Sequence, residues 1–272
     1  MTRMNGLPIQ EIPAEVCKHL QFVLTDIDDT LTLHGKILPE TFQAIWNLAN
    51  EGITVIPVTG RCAGWVDHIA RFWPVGGVIG ENGAFYFTMK GGKLFKRYYF
   101  DPNEVQKVKG QLLAIRDEIL SKYPALGIAS DQPYREFDLA IDFREDVSPV
   151  PWAIVEDVVA IFRKHGAQAK ISSIHVNGWF GDFNKLKMTK LFLQEQFGIN
   201  LENVDDKKKV IFIGDSPNDQ PLFEFFPESA GVANISEFWE QLSFKPKYVC
   251  THPGGLGFAE FARVLLKKRS GN

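Results

Sequence analysis

No apolar run in the 272 residues approaches the ~20 needed for a membrane-spanning helix. Internal repeats and low-complexity stretches are also missing, which argues against a solenoid or a disordered chain. Cysteine is scarce. Cys17, Cys62 and Cys250 lie far apart and form neither a CxxC pair nor a Cys/His ligand spacing. Reduced thiols are therefore expected rather than a disulfide framework or a zinc site. Pro8, Glu11, Pro13 and Glu15 interrupt the start, which lacks the charged-then-apolar pattern of a signal peptide. Excess charge is absent as well. The 30 Lys+Arg and 33 Asp+Glu leave a net charge of -3, with no global basic field for nucleic acid. These absences predict a cytoplasmic protein with no membrane and no nucleic-acid partner; they leave oligomeric state open.

What remains is an ordinary globular composition, 45% hydrophobic and 23% charged, in a chain long enough for one large domain or two smaller ones. Three short apolar runs come early: Phe22-Val23-Leu24, Ile53 to Val58 and Val75 to Ile79. Each is rich in β-branched residues or ends in a polar or glycine-rich turn, as buried parallel strands do. Between the first two, Phe42, Ile45, Leu48 and Ala49 share a helical face, with Pro39 near the start and Gly52 past the end. Strand, helix, strand implies a right-handed parallel crossover.

The texture changes after Gly83. Ala84 to Phe100 reads as a hairpin around Lys90-Gly91-Gly92-Lys93. Asp101-Pro102-Asn103-Glu104 reads as a helix start with Asp101 as N-cap. Strands are expected at Phe137 to Phe143 and near Lys170 to Val176, and a helix near Pro151 to His165. A helix near Leu186 to Phe197 then leads into the apolar strand Val210 to Ile213. Shorter strands near Ala230 and Tyr248 and a last helix near Phe258 to Leu266 follow. The fold class is α/β: a doubly wound parallel core built from both ends of the chain, with an inserted α+β cap.

Chemistry belongs where parallel strands end, because crevices open at their carboxyl ends. Four polar clusters lie there: Asp26-Ile27-Asp28-Asp29-Thr30, Thr59-Gly60-Arg61, Lys185 at a helix start, and Gly214-Asp215-Ser216-Pro217-Asn218-Asp219. Asp26 and Asp28 are two residues apart and share a face of an extended strand end. With Asp215 and Asp219 they bring up to four carboxylates to one crevice, and such a cluster repels itself unless a cation relieves it. Oxygen-only ligands favour Mg²⁺ over zinc. Thr59, the Gly60 N–H and Lys185 are donors suited to a phosphoryl group. One side of the constellation suits a metal and the other an anion, as phosphoryl transfer requires. Taken singly, each cluster reads equally as an ordinary turn, cap or solvated side chain; the ordered set does not.

In this order the four clusters resemble the haloacid dehalogenase superfamily, whose signature is D-x-D-x-T, a Thr/Ser strand end, a Lys and G-D-x-x-N-D. The insertion, with Gly80-Glu81-Asn82-Gly83-Ala84 just before it, resembles the Cof-like and sucrose-phosphate-phosphatase-like subgroup with an α/β cap. The resemblance implies a discontinuous catalytic core at 1–84 and 182–272 and a specificity cap at 85–181. It implies Asp26 as nucleophile and Asp28 as general acid/base. Thr59, Gly60, Arg61, Lys185 and Asn218 would contact phosphate or substrate. Asp26, Asp28 through its backbone carbonyl, Asp215 and Asp219 would hold Mg²⁺. Two positions depart from the pattern. Asp29 stands where many members have Gly, and no Gly follows Lys185, which leaves Lys187 as the alternative lysine.

The expected activity is hydrolysis of a small phosphorylated metabolite, a sugar phosphate first, through an aspartyl-phosphate. The alternatives are a phosphomutase or phosphotransferase on the same fold and a catalytically silent phosphate-binding regulator. A response-regulator receiver is excluded: it is shorter, lacks a cap and does not phosphorylate an Asp on its first strand. Within the cap, Tyr134, Arg135, Asp138, Asp142, His175, Asn177 and Trp179 are the candidates for reading substrate. For Asp138 and Asp142 a solvated sheet face is an equal alternative, and Trp179 fits hinge packing as well as a sugar contact.

Overall fold

The computed structural model describes residues 6–100, 102–172 and 174–271, and the backbone alone at 102–107. Six strands form one sheet in the spatial order Thr54–Pro57, Phe22–Thr25, Val210–Gly214, Ser229–Gly231, Tyr248–Val249, Leu7–Pro8. Every neighbouring pair is parallel. Because side chains alternate along a strand, the apolar runs feed two cores. Val23, Val55 and Ile211 enter one, with Ile45, Val66 and Phe258 from the helices Pro39–Asn50, Ala63–Phe72 and Gly254–Arg269. Leu24, Ile56 and Phe212 enter the other, with Phe192 and Leu222 from Lys185–Phe197 and Gln220–Phe225. Helices on both faces explain why these strands read as continuous apolar runs. The doubly wound core expected from the sequence is present.

The cap has its own sheet, antiparallel, in the order Gln168–Ile171, His175–Trp179, Asp138–Asp142, Gly127–Ile128. Leu139 and Ile141 meet Ile115 and Ile119 of helix Pro102–Lys122 and Val158 and Phe162 of helix Trp152–Lys164 in a third core. The capping role expected of Asp101 lies outside the described residues.

Three details differ from the sequence reading. The segment Lys170 to Val176 is not one strand; Gln168–Ile171 and His175–Trp179 pair antiparallel through Lys170↔Asn177 and Ile171↔Val176. Val78–Gly80 joins the parallel sheet only through a bridge from Val58 to Ile79, and pairs antiparallel with Phe85–Lys90. The hairpin Phe85–Lys90 and Lys93–Tyr98, expected as the first part of the insert, packs Phe85 and Phe87 among core residues, not into the cap's cluster. The reason is its pattern: aromatic side chains on the Phe85–Phe87 face meet Val66 and Ile69 of the core helix.

The turn Glu81–Gly83 joins core to hairpin and abuts the helix that begins at Lys185. Gly83 has φ +106°, and a Cβ there would lie 2.2 Å from the Asn184 carbonyl oxygen. Gly83→Ala is therefore expected to lower stability by more than about 1 kcal/mol. A denaturant midpoint equal to that of the unsubstituted protein would contradict this.

Candidate active site

The site is assembled from strand ends that are remote in sequence. Asp26 follows Phe22–Thr25, and its N–H donates to the Ile213 carbonyl of the adjacent strand (3.1 Å). Asp215 follows Val210–Gly214, and Asp219 lies four residues on, in the turn Pro217–Asp219. Lys185 opens its helix, capped by Asn184, whose side chain accepts from the Lys187 N–H. Lys185 Nζ donates to Asp26 Oδ1 and to Asp219 Oδ1, each at 2.8 Å. Lys187 turns away to Asp182, so Lys185 is the lysine that enters the site. Gly214 is required by this closeness, since a Cβ there would sit 2.3 Å from Asp219 Oδ2.

Carboxylate oxygens of Asp26, Asp215 and Asp219 lie within 4.8 Å of one another, and all three residues are buried. Three carboxylates against the one Lys185 ammonium leave two negative charges out of water. Such burial is costly unless the charge is matched. The stress shows in the ionisation. Burial pushes the Asp26 carboxyl up to about 7; Lys185 pulls the other way, while Asp219 and Asp28 add to the rise. Burial, with Asp26 and Asp219 adding, drives Asp215 well above the ordinary carboxylate range. Burial alone would lower Lys185, but Asp219 and Asp26 more than offset it.

The donor set fits a hard divalent cation. Asp215 Oδ1 accepts from Thr30 Oγ1 (2.9 Å), whereas Asp215 Oδ2 is buried and accepts nothing. Asp219 is committed differently: Oδ1 to Lys185, Oδ2 to the N–H of Asp215 at 3.1 Å. Asp219 therefore suits positioning or contact through water more than direct ligation. The Asp28 carboxylate stands outside this cluster, so only its backbone is left to serve a metal.

Asp28 instead pairs with Arg61, whose Nε and Nη2 donate to Asp28 at 2.8 to 3.1 Å. The same guanidinium reaches the cap, where Nη2 donates to Glu145 Oε1 (2.8 Å). Glu145 Oε2 in turn lies 3.0 Å from His175 Nε2. The bond to His175 and then Arg61 hold the Glu145 carboxyl down at about 2, against the opposing effect of burial. A second tie runs through Arg135, which donates to Asp131, to Asp138 and to the Gly60 carbonyl (2.9 Å). Buried Glu81 makes a third. It accepts from the N–H of Ala63 in the core and of Glu136, Phe137 and Asp138 in the cap.

The remaining residues singled out in the sequence separate clearly. Thr59 is fully buried, and its hydroxyl oxygen accepts from the Arg61 N–H (3.0 Å). Asn218 Oδ1 accepts from Ser216 Oγ (2.9 Å) beside the carboxylates. Asp138 and Asp142 face neither bulk water nor an open cleft. Asp138 is bound by Arg135 and Asn177, and Asp142 accepts from the N–H of Arg144, Glu145 and Asp146, which shapes the loop carrying Glu145. Trp179 stacks on Phe183 at 5.6 Å in the core, the hinge-packing alternative. Tyr134 is 65% exposed and lies beside Gly64. Sequence reasoning passed over Glu145, which carries no local signal, and gave Glu81 and Asn82 no role. Asn82 lies beside Gly60, with its Nδ2 buried and unpartnered.

Residues 23–119 match the family model of haloacid dehalogenase-like hydrolases. No curated protein sequence matches. Among solved structures, a Thermoplasma acidophilum protein is similar with a TM-score of 0.68 at 20% identity, covering 91% of this chain and 98% of its own. The sucrose-phosphatase of Synechocystis sp. PCC6803, solved with sucrose and phosphate, gives 0.61 at 17% identity, covering 90% and 98%. A HAD/COF-like hydrolase from Plasmodium vivax gives 0.66 at 15% identity, covering 93% and 98%. At these identities the structural likeness establishes the fold. With the family match it bears out the resemblance drawn from the four clusters, and the hydrolase class with it.

Metal binding is testable without turnover. Saturating Mg²⁺ is expected to raise the unfolding temperature, since a hundredfold excess over Kd is worth about 2.7 kcal/mol. Asp215→Ala is expected to lose that increment. An equal Mg²⁺ response in both proteins would remove Asp215 from the metal site.

Proposed function

We propose that this chain, haloacid dehalogenase-like in motifs and fold, is a Mg²⁺-dependent phosphatase of small phosphorylated metabolites, sugar phosphates first among them. One observation carries the reading. Lys185 bridges Asp26 and Asp219 while a buried Asp215 oxygen beside them has no hydrogen-bond partner, so two carboxylates, an ammonium and a free acceptor come together. A binder with no chemistry to perform has no use for an acid/base carboxylate two residues from the nucleophile. The sucrose-phosphatase neighbour is consistent with a sugar phosphate.

In this reading Asp26 attacks phosphorus, the ester P–O bond breaks, and an aspartyl-phosphate forms. Asp28 delivers a proton to the departing oxygen, then takes one from the water that cleaves the aspartyl-phosphate. Inorganic phosphate leaves and both carboxyl groups return to their starting states. Lys185 spreads the charge of the reacting carboxylate, and Thr59 and the Gly60 N–H face the phosphoryl oxygens. Bound Mg²⁺, held by Asp26 and Asp215 with Asp219 behind, would neutralise phosphoryl charge. In the structure the Asp28 carboxylate is engaged by Arg61 in an ion pair. A phosphate dianion that draws Arg61 away would release Asp28 for proton transfer.

We place the cap at residues 102–180, with the 85–98 hairpin on the core, instead of at 85–181. The ties through Arg61, Arg135 and Glu81 then become the contacts that hold the cap over the nucleophile and exclude water during the first transfer.

Phosphate release from phosphorylated sugars, nucleotides and simple phosphoesters should require Mg²⁺ and stop with EDTA. Asp26→Asn should abolish it, and Asp28→Asn should lower it by about a hundredfold or more, both proteins remaining folded by circular dichroism. Near-normal turnover in either folded variant would refute the roles. An isomerised sugar in place of free phosphate would establish a mutase.

A further inference from the structure

The space around Asp28 is divided unequally. Under the cap, Asp26, Asp28, Arg135, His175, Asn177 and their neighbours enclose about 10 Å³ of free space. That admits a water at most. The roof is tied down by Arg135 on Gly60 and by Arg61 on Glu145. On the other side of Asp28 and Arg61 lies a cleft of about 630 Å³. It runs between the small hairpin Thr32–Leu33 and Lys36–Ile37 and the segment Asn234–Phe238, and the cap loop at Arg144–Glu145 borders it. Its volume lies in the range of about 300–1,000 Å³ typical of pockets that take whole small molecules. Asp28 lines both spaces, and its side chain is 19% exposed.

We propose that the leaving group of the substrate occupies this cleft, and that the cleft selects a neutral, hydroxyl-rich group over one bearing a second phosphate. The proposal rests on the phosphatase reading above. If Asp26 attacks phosphorus and Asp28 protonates the departing oxygen, that oxygen must lie on the Asp28 side, and the cleft is where there is room for what it carries. The lining sets the chemistry. Glu237 from the core offers a carboxylate, the strongest kind of acceptor for sugar hydroxyls, while the Glu145 carboxylate of the cap is held by Arg61 and His175. Leu33, Ile174 and Phe238 supply apolar surface for the C–H face of a ring. Arg61 is already shared between Asp28 and Glu145, which leaves Arg144 and the His34 imidazole beside the acidic Asp29, Asp215 and Glu237 in the lining. A second phosphate would meet more negative than positive charge there.

The test uses the full chain with Mg²⁺ and a matched pair, glucose 6-phosphate and glucose 1,6-bisphosphate, with p-nitrophenyl phosphate as a reference that lacks a sugar. The monophosphate is expected to be preferred in kcat/KM. Glu237→Lys is expected to shift the ratio of mono- to bisphosphate by about tenfold toward the bisphosphate. Glu240→Lys, the same charge change on an exposed position outside the cleft, should leave the ratio as it was. A ratio unmoved by Glu237→Lys, or moved equally by Glu240→Lys, would overturn the proposal. Calorimetric binding of glucose 6-phosphate to the same proteins separates the two readings. Absence of turnover on every ester, including p-nitrophenyl phosphate, would defeat the phosphatase. The cleft would still stand if Glu237→Lys weakens binding about tenfold, and would fall if affinity is unchanged.

Discussion

Everything at this site depends on buried negative charge that the protein does not fully neutralise. Asp26, Asp215 and Asp219 meet out of water, and Lys185 supplies a single positive charge between two of them. Leaving such charge unmatched costs several kcal/mol per ion even after relaxation. The fold tolerates it because the sheet's carboxyl edge gathers backbone donors as well. The Asp215 N–H reaches Asp219, and Thr30 reaches Asp215. What is left over is a cluster of acceptors that could hold a small, hard cation beside the Asp26 carboxylate. On the reading proposed above, stability is given up locally at the point where a metal and a phosphoryl group would bind.

The cap is governed by the same electrostatics at its seam. Arg61 belongs to the core, yet it is held by Asp28 of the core through three hydrogen bonds and by Glu145 of the cap through one. Arg135 belongs to the cap, yet one of its nitrogens closes on the Gly60 carbonyl. Glu81 accepts backbone N–H groups from both sides. Each tie joins a charged group to partners from different parts of the chain, so cap position and the partner of the Asp28 carboxylate are linked. A ligand that competes for Arg61 acts on both at once.

Much of this was legible without coordinates. The strand ends after Leu24, Val58 and Ile213 were marked by apolar runs stopping at polar clusters, and burial on both faces is what produces such runs. Lys185 was legible as a helix start, a local effect that sequence reports well, and Asn184 caps that helix. Other features were not legible. Asp138 and Asp142 alternate with apolar residues as solvated positions do, yet both are buried, because the cap sheet lies against the core instead of water. The single strand expected at 170–176 belongs instead to two, Gln168–Ile171 and His175–Trp179, since a short polar break looks the same within a strand as between two. The hairpin after Gly83 gave no sign of which body it would pack on.

The distinction is one of range. The chain by itself determined the alternation that builds the sheet, the carboxylates at its edge, the capped helix that delivers Lys185, and hence the class of chemistry. These rest on interactions between residues a few positions apart, or on periodicities that any parallel strand must satisfy. Only the tertiary structure decided that Arg61 bridges Asp28 to Glu145, that Asp215 keeps an oxygen unpartnered, and that open space lies beside Asp28 rather than above Asp26. Those are relations among groups up to about 190 positions apart, such as Asp26 and Asp215. They are set by which distant strands pair and by how the cap seats on the core, and no local pattern of residues encodes either.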